Sequence, residues 1–201
     1  MQTTPKKNNS DPSAIPEHFS PVIILESPVA KTPQRGNLTG NPRLVRDIAA
    51  DIHSSIQQWN NVHLHAVPIL KNICQLKIDE KFPDGLQDLC DILEKDCQTL
   101  DEIVCTLKLL SHQMNVVASL NKGPENLFLT WPTYKFGEVT EQIYNVYKDE
   151  AEVKRKVLEN VAHNYEESWK MLHLTTWVHQ VNISENVTTL LESLLVETSL
   201  R

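Results

Sequence analysis

Glycine is scarce in this sequence, with 5 residues among 201, and the glycines are scattered singly. A loop that cradles phosphate needs several neighbouring glycines, so the sequence excludes a P-loop or a dinucleotide-binding fingerprint. Scarce glycine also disfavours turn-rich β architecture, whereas leucine spread along most of the chain favours helices. We therefore predict an all-α protein.

Clustered basic charge and long apolar runs are also lacking. Lys and Arg number 19 against 26 Asp and Glu, which gives a net charge of −7 and disfavours a nucleic-acid-binding surface. No apolar run approaches the roughly 20 residues that span a bilayer, and no apolar region follows Lys6 and Lys7 as in a signal peptide. We expect no direct nucleic-acid partner, no membrane partner and a place in the nucleus and cytoplasm.

The histidines do not have the spacing of metal ligands. His63 and His65 lie two residues apart, which puts them on different sides of a helix. His173 and His179 lie six apart and diverge similarly. We interpret these four as exposed or capping histidines and predict neither a metal site nor a bound cofactor.

Signatures of catalysis are missing as well. The acidic pairs Asp149-Glu150 and Glu166-Glu167 are typical of solvent-facing carboxylates, and no Ser, Cys or Thr nucleophile motif occurs. The four cysteines form no C-x-x-C pair, and each lies in a helical pattern where a reduced thiol serves as a small apolar side chain. The cysteines are Cys74, Cys90, Cys97 and Cys105. We predict that the protein is not an enzyme.

Residues 1–40 have the composition of a disordered tail, rich in Pro, Ser, Thr and Asn. This tail contains four Ser-Pro or Thr-Pro dipeptides, the core of the sites that proline-directed cell-cycle kinases read. Two of them, at Thr4 and Thr32, also have a basic residue two positions after the proline. The candidate phosphorylation sites are Thr4, Ser20, Ser27 and Thr32.

What is present from residue 41 onward is a series of long amphipathic helices, predicted as a helical bundle over 41–201. Asn41 followed by Pro42 has the pattern of an N-cap and first helical position, and predicts the start of a helix over 41–78. Apolar or small residues then recur in steps of three and four, as in a coiled-coil seam. Pro68 is expected to kink or split this helix.

The same repeat predicts a second helix over 84–120, and the two should form an antiparallel hairpin. Its apolar stripe is wide, so we expect more than one neighbour. An extended strap is predicted over 125–136 because Pro132 disfavours helix at Trp131. A third long helix over 136–163 and two short C-terminal helices within 166–200 complete the chain, with Ser184 as an N-cap.

Two sets of charged residues on the third helix need an interpretation. Glu150 lies on its apolar seam, so there the seam is either open to water or meets a basic group. We interpret Lys154-Arg155-Lys156 as a solvated face.

The tryptophans are candidates for either core or partner contact. Trp131 either closes the core of the protein where the strap crosses the helices or anchors a partner. Trp59, Trp169 and Trp177 are predicted to be core residues, and the exposed parts of the seams are predicted to contact partners.

Four groups of motifs resemble the cyclin-dependent kinase 2-interacting protein family. They are the strap Thr130–Phe136 with Glu138-Val139; the first-helix residues Arg46-Asp47, Ala49–Asp51, His53, Trp59, Asn72-Ile73 and Leu76–Ile78; the element Trp177–Gln180; and the C-terminal stretch Leu191–Thr198. The resemblance runs in order over about residues 44–198. It makes nine residues of these motifs candidates for partner binding, namely Trp131, Pro132, Tyr134, Phe136, Trp177, His179, Leu191, Leu194 and Leu195.

The resemblance implies a non-enzymatic adaptor that forms a hetero-oligomer. One implied function is a scaffold subunit of a hexameric AAA+ ATPase complex, paired with a second small coiled-coil subunit. That complex acts in cytoplasmic pre-60S ribosome maturation and in the removal of proteins from chromatin, with links to DNA replication and the ATR checkpoint. The alternative is an adaptor and substrate that links cyclin-dependent kinases to the origin-firing kinase (DDK) at replication origins.

Overall fold

The computed structural model describes residues 38–120 and 126–201. Within these ranges the chain forms five α-helices and no strand, which confirms the all-α prediction. The predicted disordered tail, apart from residues 38–40, lies outside the described residues, as do Thr4, Ser20, Ser27 and Thr32. The helices are α1 (Asn41–Leu76), α2 (Leu86–Leu120), α3 (Thr133–Val161), α4 (Glu167–His179) and α5 (Glu185–Glu197).

Helix α1 begins one position earlier than predicted, and it continues through Pro68, where a kink or split was expected. Gly40, with φ of 67°, is the N-cap residue, so Asn41 is already helical. The helix passes through Pro68 without a split. Pro68 and Leu64, whose carbonyl loses its usual partner, are both exposed, so water can replace the missing hydrogen bond.

Helix α2 packs between α1 and α3, which explains its wide apolar stripe. The α1–α2 connection is too short for two parallel helices of this length, so the two form the expected antiparallel hairpin. Helix α3 is antiparallel to α2, since Asp101 pairs with Arg155 while Asn115 lies against Gly137 near the start of α3.

Helix α3 begins earlier than predicted and shortens the strap. Pro132 is its N-cap residue, in an extended conformation, and Thr133 is already helical. Pro132 therefore ends the extended segment, because its ring fits the start of a helix better than the interior. The residues of the strap that the structure describes as non-helical are 126–132.

Helices α4 and α5 together form an interrupted fourth helix of the bundle. Both contact α1 and α3, and they run antiparallel to α1, as shown by Trp59 opposite Gln180 and Arg46 opposite Ser199. The break between them begins at Gln180, whose φ of 47° is left-handed and ends α4. Ser184 is the N-cap residue of α5, as predicted, but its side chain makes no capping hydrogen bond.

Helix α2 is also the one described helix whose length and hydropathy would allow it to span a membrane. This is weak evidence, since the core helix of a helical bundle passes the same test. Its most apolar stretch is 33% buried in the bundle, so much of that stretch lies at the surface. The exposed large apolar side chains of α2 are Ile92, Leu109, Val116 and Leu120.

Candidate partner-binding surfaces

The strap is fastened to α5 through the carboxylate of Glu197. One oxygen of Glu197 accepts hydrogen bonds from the backbone N–H groups of Thr130 (2.6 Å) and Trp131 (2.8 Å). The other accepts the hydroxyl of Thr130 at 2.9 Å. Hydrogen bonds to an ionised acceptor are stronger than neutral ones, so this contact fixes the strap relative to the last turn of α5.

The aromatic residues of the strap divide between core and surface. The Phe136 ring is fully buried and lies 5.3 Å from the Trp131 ring and 5.7 Å from the Phe128 ring, measured between centroids. Trp131 is half-buried, while Pro132 and Tyr134 are exposed. Trp131 thus closes the core with one face and leaves the other open.

A groove of about 480 Å³ runs between the open side of Trp131 and the outward face of α5. We call it the strap groove. Its apolar wall is formed by Trp131 and Val196, and its ionisable lining residues are all glutamates. The complete lining is Trp131, Glu185, Thr188, Thr189, Glu192, Ser193, Val196 and Glu197.

The break between α4 and α5 is held by polar contacts from α1 and α3. The indole N–H of Trp59 donates to the side-chain oxygen of Gln180 at 2.8 Å. The backbone N–H of Asn182 donates to Glu150 at 3.0 Å. The first-helix motif and the Trp177–Gln180 element of the sequence therefore meet at this corner, while the strap and C-terminal motifs meet at Glu197.

Beside this corner lies a buried ionic cluster centred on Lys154. Its ammonium lies 3.4 Å from Glu150, donates to the Trp177 carbonyl and to Nδ1 of His63, each at 3.2 Å, and sits 4.4 Å from the centre of the Trp177 ring. Lys154 is 1% exposed and Glu150 is not exposed at all. The cluster joins α1, α3 and α4.

The pKa values in the cluster reflect this burial. Desolvation lowers the pKa of Lys154 to about 8, against the opposing effect of the Glu150 charge. Desolvation, assisted by the Lys154 charge, lowers the pKa of His63 to about 4. His63 is therefore neutral at pH 7, and its Nδ1 can accept the hydrogen bond that Lys154 donates.

Several sequence interpretations are corrected by this cluster. Glu150 meets a basic group, which was one of the two alternatives, but Lys154 was wrongly assigned to a solvated face. His63 and His173 are buried and not exposed or capping residues. The missed signal was the spacing of Glu150 and Lys154, since residues four apart are neighbours on a helix and opposite charges there can pair.

Helix α4 has an unusual distribution of polarity. Its inward positions include Lys170 and His173 beside Trp177. Four large apolar side chains point outward instead, and we call them the α4 outer face. They are Trp169, Met171, Leu172 and Val178, with 46%, 60%, 51% and 45% of their surfaces exposed. Trp169 was predicted to be a core residue, and that prediction is wrong.

The nine candidate partner-binding residues fall into two groups. Trp131, Pro132, Tyr134 and His179 keep exposed surface. The other five pack inside the bundle, so their side chains are not accessible to a partner in this structure. The buried five are Phe136, Trp177, Leu191, Leu194 and Leu195. The motifs to which these five residues belong therefore hold the bundle together. Met171 and Leu172 lie in none of the motifs, so they were not among the predicted partner-binding residues.

No group of three or more His, Cys, Asp or Glu residues that could hold a metal ion occurs within residues 38–120 and 126–201. All four cysteines are free thiols. Burial raises the pKa of Cys97 to about 11, whereas Cys105 is exposed.

The comparisons with known proteins agree with the motifs. No family model matches the chain. A protein named "Cyclin-dependent kinase 2-interacting protein" from Xenopus laevis is 28% identical over 202 residues, covering 88% of this chain and 98% of that protein. Proteins of the same name from Bos taurus and Homo sapiens are each 28% identical over 201 residues, covering 85% of this chain and 95% of theirs. In each of these comparisons the similarity extends over most of both chains, so this chain is similar to the cyclin-dependent kinase 2-interacting proteins along almost its whole helical part.

Proposed function

We propose that this chain is a non-enzymatic adaptor whose α4 outer face binds a partner protein, and that a cyclin-dependent kinase is among its partners. The relatives are named for an interaction with cyclin-dependent kinase 2, which supports the second part. The first part depends on the exposure of Trp169, Met171, Leu172 and Val178 on one short helix.

Binding of a partner protein to α4 explains why Lys170 points into the bundle while Leu172 points towards solvent. Each large apolar side chain that moves from water into an interface contributes about 1.5–3 kcal/mol. Large contiguous apolar surface on a folded chain marks an interaction site more often than chance exposure. The buried cluster around Lys154 holds α4 in this orientation and so presents its outer face.

A capture experiment tests the proposal. Tagged wild-type protein is purified from cells, and bound cyclin-dependent kinase is detected with antibodies. The double variant Met171→Glu/Leu172→Glu places two charges on the α4 outer face and should reduce capture at least tenfold. The matched control is Gln57→Glu/Gln58→Glu, which adds two charges at adjacent exposed positions on α1 and should leave capture unchanged.

The possible results separate the two parts of the proposal. Failure of the wild-type protein to capture any cyclin-dependent kinase would exclude the kinase as a partner. Equal capture by wild type and Met171→Glu/Leu172→Glu would exclude the α4 outer face as its binding surface.

The finer function proposed is a scaffold subunit of the AAA+ ATPase complex, beside a second small coiled-coil subunit, in pre-60S ribosome maturation and chromatin proteostasis. It follows from the family resemblance, and the exposed apolar surfaces on α2 and α4 are compatible with helix pairing. The test is co-purification: a tagged chain that brings down no AAA+ ATPase from nuclear and cytoplasmic extracts would exclude this function.

The alternative is an adaptor and substrate of cell-cycle kinases, joining cyclin-dependent kinases, the origin-firing kinase and the ATR pathway. It is supported by the relatives' name and by the Thr-Pro sites at Thr4 and Thr32. A Thr4→Ala/Thr32→Ala variant should lose phosphorylation and alter replication timing. Unchanged phosphorylation would exclude these two threonines as the sites.

A further inference from the structure

The strap groove has the chemistry of a binding site for a basic peptide segment, and it lies apart from the α4 outer face. Glu185, Glu192 and Glu197 line it, and no Lys, Arg or His belongs to its lining. Glu197 is buried at the edge of the groove, and hydrogen bonds from Thr130 and Trp131 stabilise its negative charge. Within the described ranges no cation forms an ion pair with it.

Two of the three hydroxyl groups that line the groove are used in hydrogen bonds within α5. Thr189 donates its hydroxyl to the Glu185 carbonyl at 3.0 Å, and Ser193 donates to the Thr189 carbonyl at 2.7 Å. Besides the Thr188 hydroxyl, the groove therefore presents methyl groups, one aromatic face and acceptor oxygens. A ligand that suits it brings hydrogen-bond donors, positive charge and some apolar surface.

The chain itself shows that a guanidinium is accepted at this rim. Arg201 forms an ion pair with Glu192, which is part of the lining. Glu185, at the other end of the same helix face, has no cationic partner among the described residues. The half-exposed ring of Trp131 adds a surface over which a Lys or Arg side chain can lie, attracted by the electron-rich face of the indole.

From these features we propose that the strap groove binds an extended segment of a partner protein that carries Lys or Arg next to an apolar residue. The cationic group pairs with Glu185 or Glu192, and the apolar residue lies against Trp131 and Val196. An acidic or phosphorylated segment is repelled by the same glutamates. The proposal deepens the adaptor function by adding a second surface with a defined partner chemistry.

Selection from a random-peptide library displayed on phage tests this proposal with the full-length protein. We expect the selected peptides to be enriched in Lys and Arg beside Leu, Ile, Val or aromatic residues. Their binding to Glu185→Gln/Glu192→Gln should be about fivefold weaker, because two surface charge interactions are lost. The control Glu152→Gln/Glu159→Gln removes the same charge from exposed positions on α3 and should bind as the wild type does.

Nuclear magnetic resonance then locates the binding site. The indole N–H signal of Trp131, assigned with the Trp131→Phe variant, should shift on addition of a selected peptide, and added salt should weaken the binding. Selected peptides without excess Lys and Arg, equal binding to Glu185→Gln/Glu192→Gln, or an unshifted Trp131 signal would each overturn the proposal. No kinase or ATPase enters the assay, so these outcomes leave the test of the proposed adaptor function independent.

Discussion

The ammonium of Lys154 lies 3.4 Å from the carboxylate of Glu150, one helical turn away, and neither side chain reaches solvent. Taking two charges out of water is costly, and only their attraction and additional hydrogen bonds compensate. Here His63, the Trp177 carbonyl and the Asn182 N–H provide those bonds. The pair therefore specifies how α4 and the α4–α5 corner sit on α1 and α3.

Removing both members of this pair should cost less than the two single removals added together. We expect Lys154→Met or Glu150→Gln alone to lower the free energy of unfolding by about 3–5 kcal/mol, since a buried charge or polar group loses its partner. The double variant Lys154→Met/Glu150→Gln should lose less than the sum of the two. Urea unfolding followed by circular dichroism measures all three.

The exposed pair Lys148–Glu152 on the same helix is the matched control. Lys148→Met should cost less than about 1 kcal/mol, as is usual for a surface ion pair. Additive losses in the double variant would contradict the coupling of Glu150 to Lys154.

Acid should destabilise the protein through His63. Its pKa in the folded state, about 4, lies below the ordinary value of 6.5, so the unfolded chain binds the proton more tightly. The stability that this provides is complete above pH 6.5 and is lost as the pH falls towards 4. Between pH 7 and pH 5 we expect a loss of up to about 2 kcal/mol from His63.

Carboxylates also titrate at acidic pH, so the variant His63→Gln isolates the contribution of this histidine. The difference in unfolding free energy between pH 7 and pH 5 should be smaller in His63→Gln than in the wild type. His112→Gln, at an exposed position on α2, should retain the full difference. The same pH dependence in His63→Gln and wild type would show that His63 titrates normally.

The fastening of the strap should depend on the charge of Glu197. Glu197→Gln keeps the size of the side chain but weakens three hydrogen bonds and leaves the amide N–H₂ facing donors. We expect a loss of about 2 kcal/mol in unfolding free energy. Hydrogen exchange at the amides of Thr130 and Trp131 should also become faster.

Glu192→Gln is the control for this change, because Glu192 lies five residues earlier on α5 and pairs with Arg201, whereas the strap backbone hydrogen-bonds Glu197. In Glu192→Gln, hydrogen exchange at the amides of Thr130 and Trp131 should be as slow as in the wild type. Unaltered exchange in Glu197→Gln would mean that other contacts hold the strap.

Replacement of Pro68 should stabilise the chain. Proline in a helix interior costs about 3 kcal/mol relative to alanine, and its loss frees up to about 1 kcal/mol of conformational entropy in the unfolded chain. Pro68→Ala should therefore raise the free energy of unfolding by about 2 kcal/mol, because the new backbone N–H can donate to the exposed Leu64 carbonyl. Gln58→Ala, at an exposed position of α1, should change it by less than about 0.5 kcal/mol. A decrease in Pro68→Ala would contradict this account.

The helices could be predicted because their signal is local. Steps of three and four placed Ile52, Trp59 and Ile73 on one buried face of α1, and similar steps did so for α2 and α3. The boundaries were less predictable at Gly40 and Pro132, where the same residues fit either the cap or the preceding segment.

The arrangement of α4 could not be read in the same way. Its sequence has apolar residues all around, so periodicity does not say which side faces the bundle. The side is decided by Lys154 and Glu150 of α3 and by Trp59 of α1, which hydrogen-bond Trp177, Asn182 and Gln180 respectively. Lys154 resembles Lys156 in sequence, yet only Lys154 lies one turn from Glu150 and toward α1.

The most direct test of the α4 outer face is site-specific photo-crosslinking in cells. A benzophenone amino acid at Leu172 should form an adduct with the same partner protein whose capture Met171→Glu/Leu172→Glu reduces. The same group at Glu94, an exposed position on α2, should form no such adduct. Adducts of equal yield at both positions, or none at Leu172 while the partner is still captured, would contradict the claim that α4 is the partner-binding surface.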